Sequence, residues 1–214
     1  QAEGDLEARI NNFELAYRMQ TDAREAFDFA GEKPETIAKY GANAQGRQML
    51  IARRLLERGV RFVQVRQGGW DLHGGIAQRA KRNADQLDPA IGAIMDDLKE
   101  RGLFKDTLIY ITSEFGRSPT EDGGGGRSHN ARGLSTVLMG GGIKGGMAYG
   151  STDELGGAAV ENKVHVKDIH ATVLDRLGFD HEQLTFRTGG RDFRLTQPTR
   201  SLPQGAMPVQ GILA

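Results

Sequence analysis

Apolar residues recur at helical spacing in several stretches of the chain, which predicts amphipathic helices there. These stretches are residues 5–29, 43–58, 75–101 and 166–177. Within residues 75–101, Asp88 can cap the second half of the helix, and Pro89 suits the first turn of that half. Residues 30–42 contain glycine and proline and are interpreted as a connection. His165 precedes the last helix and is interpreted as a capping or packing residue.

Three shorter segments have the pattern of β-strands. Residues 60–66 alternate apolar and polar positions, and residues 107–112 are mostly apolar. Because a long helix separates these two, they are predicted to be parallel strands joined by a right-handed crossover. Residues 134–139 follow without a crossover helix, so that strand is expected to be antiparallel. The pattern therefore predicts an α/β fold.

Candidate chemistry lies where these predicted strands end. Asp71 and His73 follow the first strand, and Glu114 follows the second. Parallel strands present their carboxyl ends at one edge of a sheet, where open α/β sheets bind ligands. The antiparallel strand would bring His129 to the same edge. A carboxylate with two imidazoles suits zinc, manganese or iron better than calcium, although a hydrogen-bonded Asp–His pair at a turn is the structural alternative.

Charged residues around these positions could handle an anion. Glu114 could be a second metal ligand, a general base or the ion-pair partner of Arg117. Arg117 and Arg127 could bind phosphate or sulfate. The four glycines at 123–126 between them are typical of a surface loop.

The composition of the chain limits the classes of binding partner and of chemistry that are expected. The 214 residues can bury one sizeable α/β core, and 28 basic residues balance 28 acidic ones. That balance argues against nucleic acid or an anionic membrane as a partner. No apolar run reaches the roughly 18 residues that a membrane span needs. The chain has no cysteine, which excludes disulfides and thiol chemistry.

Six segments together resemble the domain of unknown function 1501 family, a bacterial group placed near the sulfatases in the alkaline phosphatase superfamily. The segments that carry this resemblance are Trp70–His73, Glu114–Pro119, Gly126–Asn130, Gly140–Gly146, Tyr149–Glu154 and Gly190–Phe193. The resemblance covers about residues 5–196 and its motifs are specific.

The resemblance implies a fold and a place within a longer protein. Residues 1–196 would be the C-terminal part of an alkaline-phosphatase-like α/β domain, with a mixed, mostly parallel sheet flanked by helices, and residues 197–214 an extended tail. The superfamily's nucleophile and first metal-binding aspartate come from an N-terminal half. Without the N-terminal half, this chain would then be inactive. Members are similar to proteins exported through an upstream twin-arginine signal, which implies a periplasmic location.

The resemblance also implies a ligand set. By comparison with the phosphoglycerate mutases that are independent of bisphosphoglycerate, Asp71, His73 and His129 would hold one divalent metal ion. Zinc or manganese is expected first, with calcium or magnesium as alternatives. Glu114 would support that ion or a second one, but Phe115 stands where the pattern has a histidine, so the second site would be degraded.

Two functions follow from the resemblance. The first is a sulfatase- or phosphatase-like hydrolase that acts on a small sulfated or phosphorylated ester, with Arg117 and Arg127 binding the anionic group. The second is a non-catalytic, exported binding or scaffold protein that retains the fold with a degraded metal centre. Phe115 is the residue that favours the second.

Overall fold

The computed structural model describes the backbone of residues 2–214 and the side chains of residues 6–18, 20 and 24–214. The chain divides into two compact units. The first unit contains the residues up to Asp71 together with Gln78–Leu98, and the second contains Leu72–Ala77 together with Lys99–Ala214. Among the described residues, none of the helices combines the length and the hydropathy that a membrane span requires.

The first unit is helical. Its helices are α1 (Ala2–Phe27), α2 (Pro34–Tyr40), α3 (Ala44–Glu57) and most of α4 (Ile76–Glu100). The predictions for α1, α3 and α4 are confirmed, whereas α2 lies in the predicted connection. Pro34 at its first turn is compatible with a helix start, because that position needs no backbone N–H. The Asn43 side chain caps α3 by accepting from the N–H groups of Gln45 and Gly46, both at 2.9 Å.

The core of this unit contains a charged cluster beside its apolar residues. The buried apolar side chains include Ala26, Tyr40, Leu50, Ala52, Ala90, Ala93, Ile94 and Leu98. Arg53, only 2% exposed, forms ion pairs with Glu32, Glu57 and Asp97. The predicted apolar stripe of α1 is exposed instead, and α1 buries Ala26.

The predicted strand at residues 60–66 does not form. Val63 and Val65 are half-buried while Phe62 and Gln64 are exposed, so the period of two is present in the burial. Among the described residues, however, no strand pairs with this segment. The predicted crossover between parallel strands is therefore wrong, because an alternating pattern fixes which side of an extended chain is covered and not whether its backbone is paired.

The second unit contains the β-structure, as four two-stranded antiparallel sheets. The pairs are β1 (Leu108–Ile111) with β4 (Val137–Gly140), β2 (Gly116–Glu121) with β3 (Arg127–Asn130), β5 (Ser151–Thr152) with β6 (Ala159–Glu161), and β7 (Phe186–Thr188) with β8 (Arg191–Phe193). The antiparallel orientation predicted for residues 134–139 is confirmed. The mixed α/β class is also confirmed, but the mostly parallel, alkaline-phosphatase-like sheet is not found in residues 2–214.

The core of the second unit brings the C-terminal residues against helix α5 (Val166–Arg176). Ile169 packs with Val209 and Ile212, and a short 3₁₀ helix spans Gln210–Ile212. The C-terminal end of the predicted extended tail, residues 197–214, therefore packs into this core. Apolar residues spaced three apart give it a face to bury. His165 caps α5, as predicted, by accepting from the N–H of Lys167 at 3.1 Å.

Candidate metal centre

Two segments of the second unit bring the candidate histidines together. His129 lies in β3, and the segment around His73 runs alongside the turn that joins β2 to β3. The N–H of Arg127 donates to the carbonyl of Leu72 at 3.1 Å, and the N–H of Gly75 donates to that of Gly124 at 2.9 Å. The glycine-rich turn is therefore held by backbone hydrogen bonds rather than being a loose surface loop.

Glycine at position 126 is what allows this close approach. A Cβ atom there would lie 2.0 Å from the carbonyl carbon of His73 and 2.2 Å from its oxygen. Real Cβ contacts are never this short, so any side chain would push the two segments apart. The Gly126–Asn130 motif, which contains His129, thus begins with a residue that limits how closely the His73 backbone can approach.

The two histidine rings meet through their Nε2 atoms, which are 3.2 Å apart. The Nδ1 atom of His73 lies 2.7 Å from Oδ2 of Asp122, which also accepts from the Ser128 hydroxyl at 2.8 Å. An ionised carboxylate can only accept, so Nδ1 carries a proton and Nε2 of a neutral His73 has its lone pair available. These hydrogen bonds, first from His73 and then from Ser128, hold the pKa of Asp122 below its ordinary value.

The Nε2–Nε2 distance fits two ligands of a single metal ion. Two nitrogen atoms at about 2.0–2.1 Å from one tetrahedral zinc ion would lie about 3.3–3.4 Å apart. In the absence of a metal, the same distance fits an N–H···N hydrogen bond between the rings. Transfer of that proton from Nε2 to Nδ1 of His129 would leave two Nε2 lone pairs within ligand distance of one ion. The carboxylate on Nδ1 of His73 is the partner that metal-binding histidines ordinarily have.

A third ligand group is available locally. Asp71 precedes His73 by two residues, and one of its carboxylate oxygens lies within 4.8 Å of ring nitrogens of His73 and His129, which are within the same distance of each other. All three residues are exposed, so solvent and small solutes can reach them. The spacing in the sequence puts Asp71 and His73 on one side of an extended segment.

The remaining predicted site residues are placed differently. Glu114 is exposed and lies outside the group formed by Asp71, His73 and His129, so its role stays a prediction. Arg117 donates to the carbonyl of Arg127 at 3.0 Å, and Arg127 donates to that of Gly126 at 2.8 Å. Both arginines thus brace the β2–β3 turn, and their binding of an anion also stays a prediction.

Aromatic contacts surround His129. The ring of Phe115 stacks on it with centroids 3.9 Å apart and planes inclined by 26°. The guanidinium carbon of Arg117 lies over the Phe115 ring, 5.4 Å from its centroid. The ring of His73 lies at 5.0 Å from that of His129 and is tilted by 51°.

Asp122 is the residue that sequence reasoning missed. It stands immediately before the four glycines, in a stretch with no helical or strand pattern. The sequence therefore carried no signal for its role. Its place beside Ser128 and His73 follows only from the pairing of β2 with β3 and from the segment that lies against their turn.

One comparison confirms the family that these motifs resemble, and it does not bear on the superfamily. The family model described as "Protein of unknown function (DUF1501)" matches residues 1–205. Comparison with curated proteins and with solved structures gives no match.

Proposed function

Since the chain belongs to the DUF1501 family, whose description assigns no activity, we propose from the site itself that His73 and His129 bind a divalent metal ion together with Asp71. The observation that carries the proposal is the 3.2 Å separation of the two Nε2 atoms, with Asp122 on the far nitrogen of His73. A carboxylate and two imidazoles favour zinc or manganese over calcium or magnesium.

The chain's own residues would prepare this site in two ways. Asp122 keeps the proton of His73 on Nδ1, which leaves Nε2 as the ligand atom. The backbone hydrogen bonds between the His73 segment and the β2–β3 turn keep the two rings at ligand distance. A bound divalent ion would supply Lewis-acid chemistry and lower the pKa of a coordinated water.

We further propose that this centre serves a sulfatase- or phosphatase-like hydrolase of small anionic esters, related to the alkaline phosphatase superfamily and exported. Support comes from the metal-ligand group and from Arg117 and Arg127, two cations on the same hairpin that carries His129. In this proposal the nucleophile belongs to an upstream half of the protein, so hydrolysis requires that half.

The second candidate function is a non-catalytic, exported metal-binding or scaffold protein. The observation that favours it is Phe115, which stacks on His129 where the mutase pattern has a histidine ligand. Glu114 also lies outside the ligand group. The described residues therefore offer three ligand groups for one ion, and Glu114 adds no ligand for a second ion there.

A metal titration tests the core of the proposal. The chain should bind one zinc ion, and His129→Ala should weaken zinc affinity by more than about 100-fold. Removing a hydrogen-bond partner of a ligand typically lowers metal affinity by about 10–100-fold, and removing the ligand itself should lower it more. His170→Ala is the matched control, since His170 is an exposed histidine on α5. Equal zinc affinity for His129→Ala and the unaltered chain would rule out this site.

An activity assay separates the two candidate functions. Full-length protein, loaded with zinc or manganese, is tested on a panel of aryl phosphates and aryl sulfates. Hydrolysis that depends on the metal and is lost in His129→Ala supports the hydrolase. Stoichiometric metal binding with no hydrolysis of any ester in the panel favours the binding protein.

A further inference from the structure

We propose that Phe115 is a positioning residue for the metal centre, and that it holds the His129 ring in the orientation in which Nε2 faces His73. This inference rests on the proposed metal site and adds a residue to it. It also gives a function to the position at which the mutase pattern has a metal ligand.

The backbones of Phe115 and His129 are fixed relative to each other. Phe115 directly precedes β2, in which Gly116 pairs with Asn130 and Arg117 pairs with His129. A Cβ atom at Gly116 would lie 1.6 Å from the carbonyl oxygen of Gly133, so the chain passes very close at this point. The strand register therefore delivers the Phe115 ring to the side of His129.

The ring contact restricts the rotation of His129. The centroids are 3.9 Å apart and the planes are inclined by 26°, a stacked contact closer than the roughly 4.5–7 Å that is usual for aromatic pairs. Rotation of the imidazole about its Cβ–Cγ bond would drive its edge into the Phe115 ring. The stack thus restricts the His129 ring to a plane in which its Nε2 lies near Nε2 of His73.

Phe115 is itself supported from the same hairpin. The guanidinium of Arg117 lies over its ring, within the roughly 6 Å range of cation–π attraction. Arg117 is in turn tied to the carbonyl of Arg127 at 3.0 Å. A chain of contacts therefore runs from the backbone of the turn, through Arg117 and Phe115, to His129.

Each histidine then has its own means of orientation. The carboxylate of Asp122 orients His73 through a hydrogen bond, and the ring of Phe115 orients His129 through stacking. Both partners act on a ligand rather than on the metal. Loss of either should weaken metal binding without removing a ligand atom.

Ring-preserving and ring-removing variants test this role. Phe115→Leu keeps apolar bulk but removes the flat face, whereas Phe115→Tyr keeps the face. Phe186→Leu is the matched control, because Phe186 lies in β7 and is 70% exposed. The probes are zinc affinity by competition with a chelator, the visible absorption spectrum of the cobalt-loaded chain, and the ¹⁵N shifts of the histidine rings without metal.

The expected result is about tenfold weaker zinc binding in Phe115→Leu, the scale of losing an outer partner of a ligand. The cobalt spectrum and the ¹⁵N shifts of the His129 ring should also change in Phe115→Leu. Phe115→Tyr should keep the zinc affinity, the cobalt spectrum and the ring shifts of the unaltered chain. Unaltered affinity and spectra in Phe115→Leu, with zinc still bound by the unaltered chain, would overturn the positioning role alone. Absence of zinc binding by the unaltered chain would overturn the metal site and this inference with it.

Discussion

The His73–Asp122 hydrogen bond is the contact that decides which nitrogen of His73 carries the proton. Imidazole carries one proton in its neutral form, and the carboxylate holds that proton on Nδ1. Without Asp122, either nitrogen could carry it, and a share of the population would have Nε2 blocked. The choice of tautomer thus depends on a residue 49 positions away in the sequence.

Asp122→Asn should weaken zinc binding by about 10- to 100-fold, as removal of an outer carboxylate does in other metal sites. The amide keeps the shape of the carboxylate but lacks its charge, and it can present an N–H toward Nδ1. The measurement is zinc affinity by chelator competition. Far-ultraviolet circular dichroism should be unchanged, because Asp122 lies in the β2–β3 turn and outside every helix of the described residues.

Asp192→Asn is the matched control for this variant, since Asp192 is an exposed aspartate in β8. It should bind zinc as the unaltered chain does. If Asp122→Asn also retains full zinc affinity, the carboxylate does not select the tautomer.

At the scale of elements, the β2–β3 hairpin and the segment that crosses it build the centre. The hairpin contributes Asp122, Ser128 and His129, and Gly126 allows the His73 segment to lie against it. Four consecutive glycines would suggest a segment with no fixed structure. Here neighbouring backbone N–H groups donate to the carbonyls of Gly124, Gly125 and Gly126, and these hydrogen bonds fix the turn.

Gly126→Ala should separate the two segments of the centre. The added methyl group would overlap the His73 backbone, and overpacking of this kind destabilises by about 1–3 kcal/mol. Zinc affinity should fall as well, because the two Nε2 atoms move apart. The measurements are the urea midpoint of unfolding and the zinc affinity of the same preparation.

Gly145→Ala controls for the loss of a glycine, because a Cβ atom at Gly145 would meet nothing within 4 Å. It should leave both quantities unchanged. Normal stability and normal zinc affinity in Gly126→Ala would show that the segments can give way without affecting the centre.

Element prediction succeeded where the signal was local. The apolar spacing gave α3, α4 and α5 nearly to their ends, and the lack of a crossover helix gave the orientation of β4. The β7–β8 hairpin was missed although Gly189 and Gly190, both with positive φ, form the two-residue turn typical of hairpins. Its strands are three residues each, too short to show alternation.

For the whole molecule, sequence reasoning predicted the mixed α/β class but not the sheet arrangement. Pairing between distant segments depends on tertiary contacts that a residue pattern does not encode, as residues 60–66 demonstrate. Asp71, His73 and His129 were singled out because they stand beside predicted strand ends. The structure brings them together through a hairpin and a crossing segment, a different arrangement from the common edge of a parallel sheet.

The charged cluster of the first unit gives its stability a defined pH dependence. Burial alone would raise the pKa of Glu32. The hydrogen bonds and charges of Arg53 and Arg54 together outweigh burial, so the pKa lies below its ordinary value of 4.5. A carboxyl group with a lowered folded pKa stabilises the fold above its unfolded pKa. This contribution is lost as the pH falls through the lower, folded value.

Glu32→Gln should therefore destabilise the first unit near neutral pH and have a smaller effect in acid. Removing one partner of a buried ion pair costs about 3 kcal/mol, and the Glu32 side chain is 9% exposed. Urea unfolding, followed by the helical circular dichroism signal at about pH 7 and about pH 2.5, measures both effects. Glu35→Gln, an exposed position on α2, should shift neither midpoint. An equal loss in Glu32→Gln at both pH values would mean that Glu32 acts through packing, because only the charged carboxylate can make a contribution that acid removes.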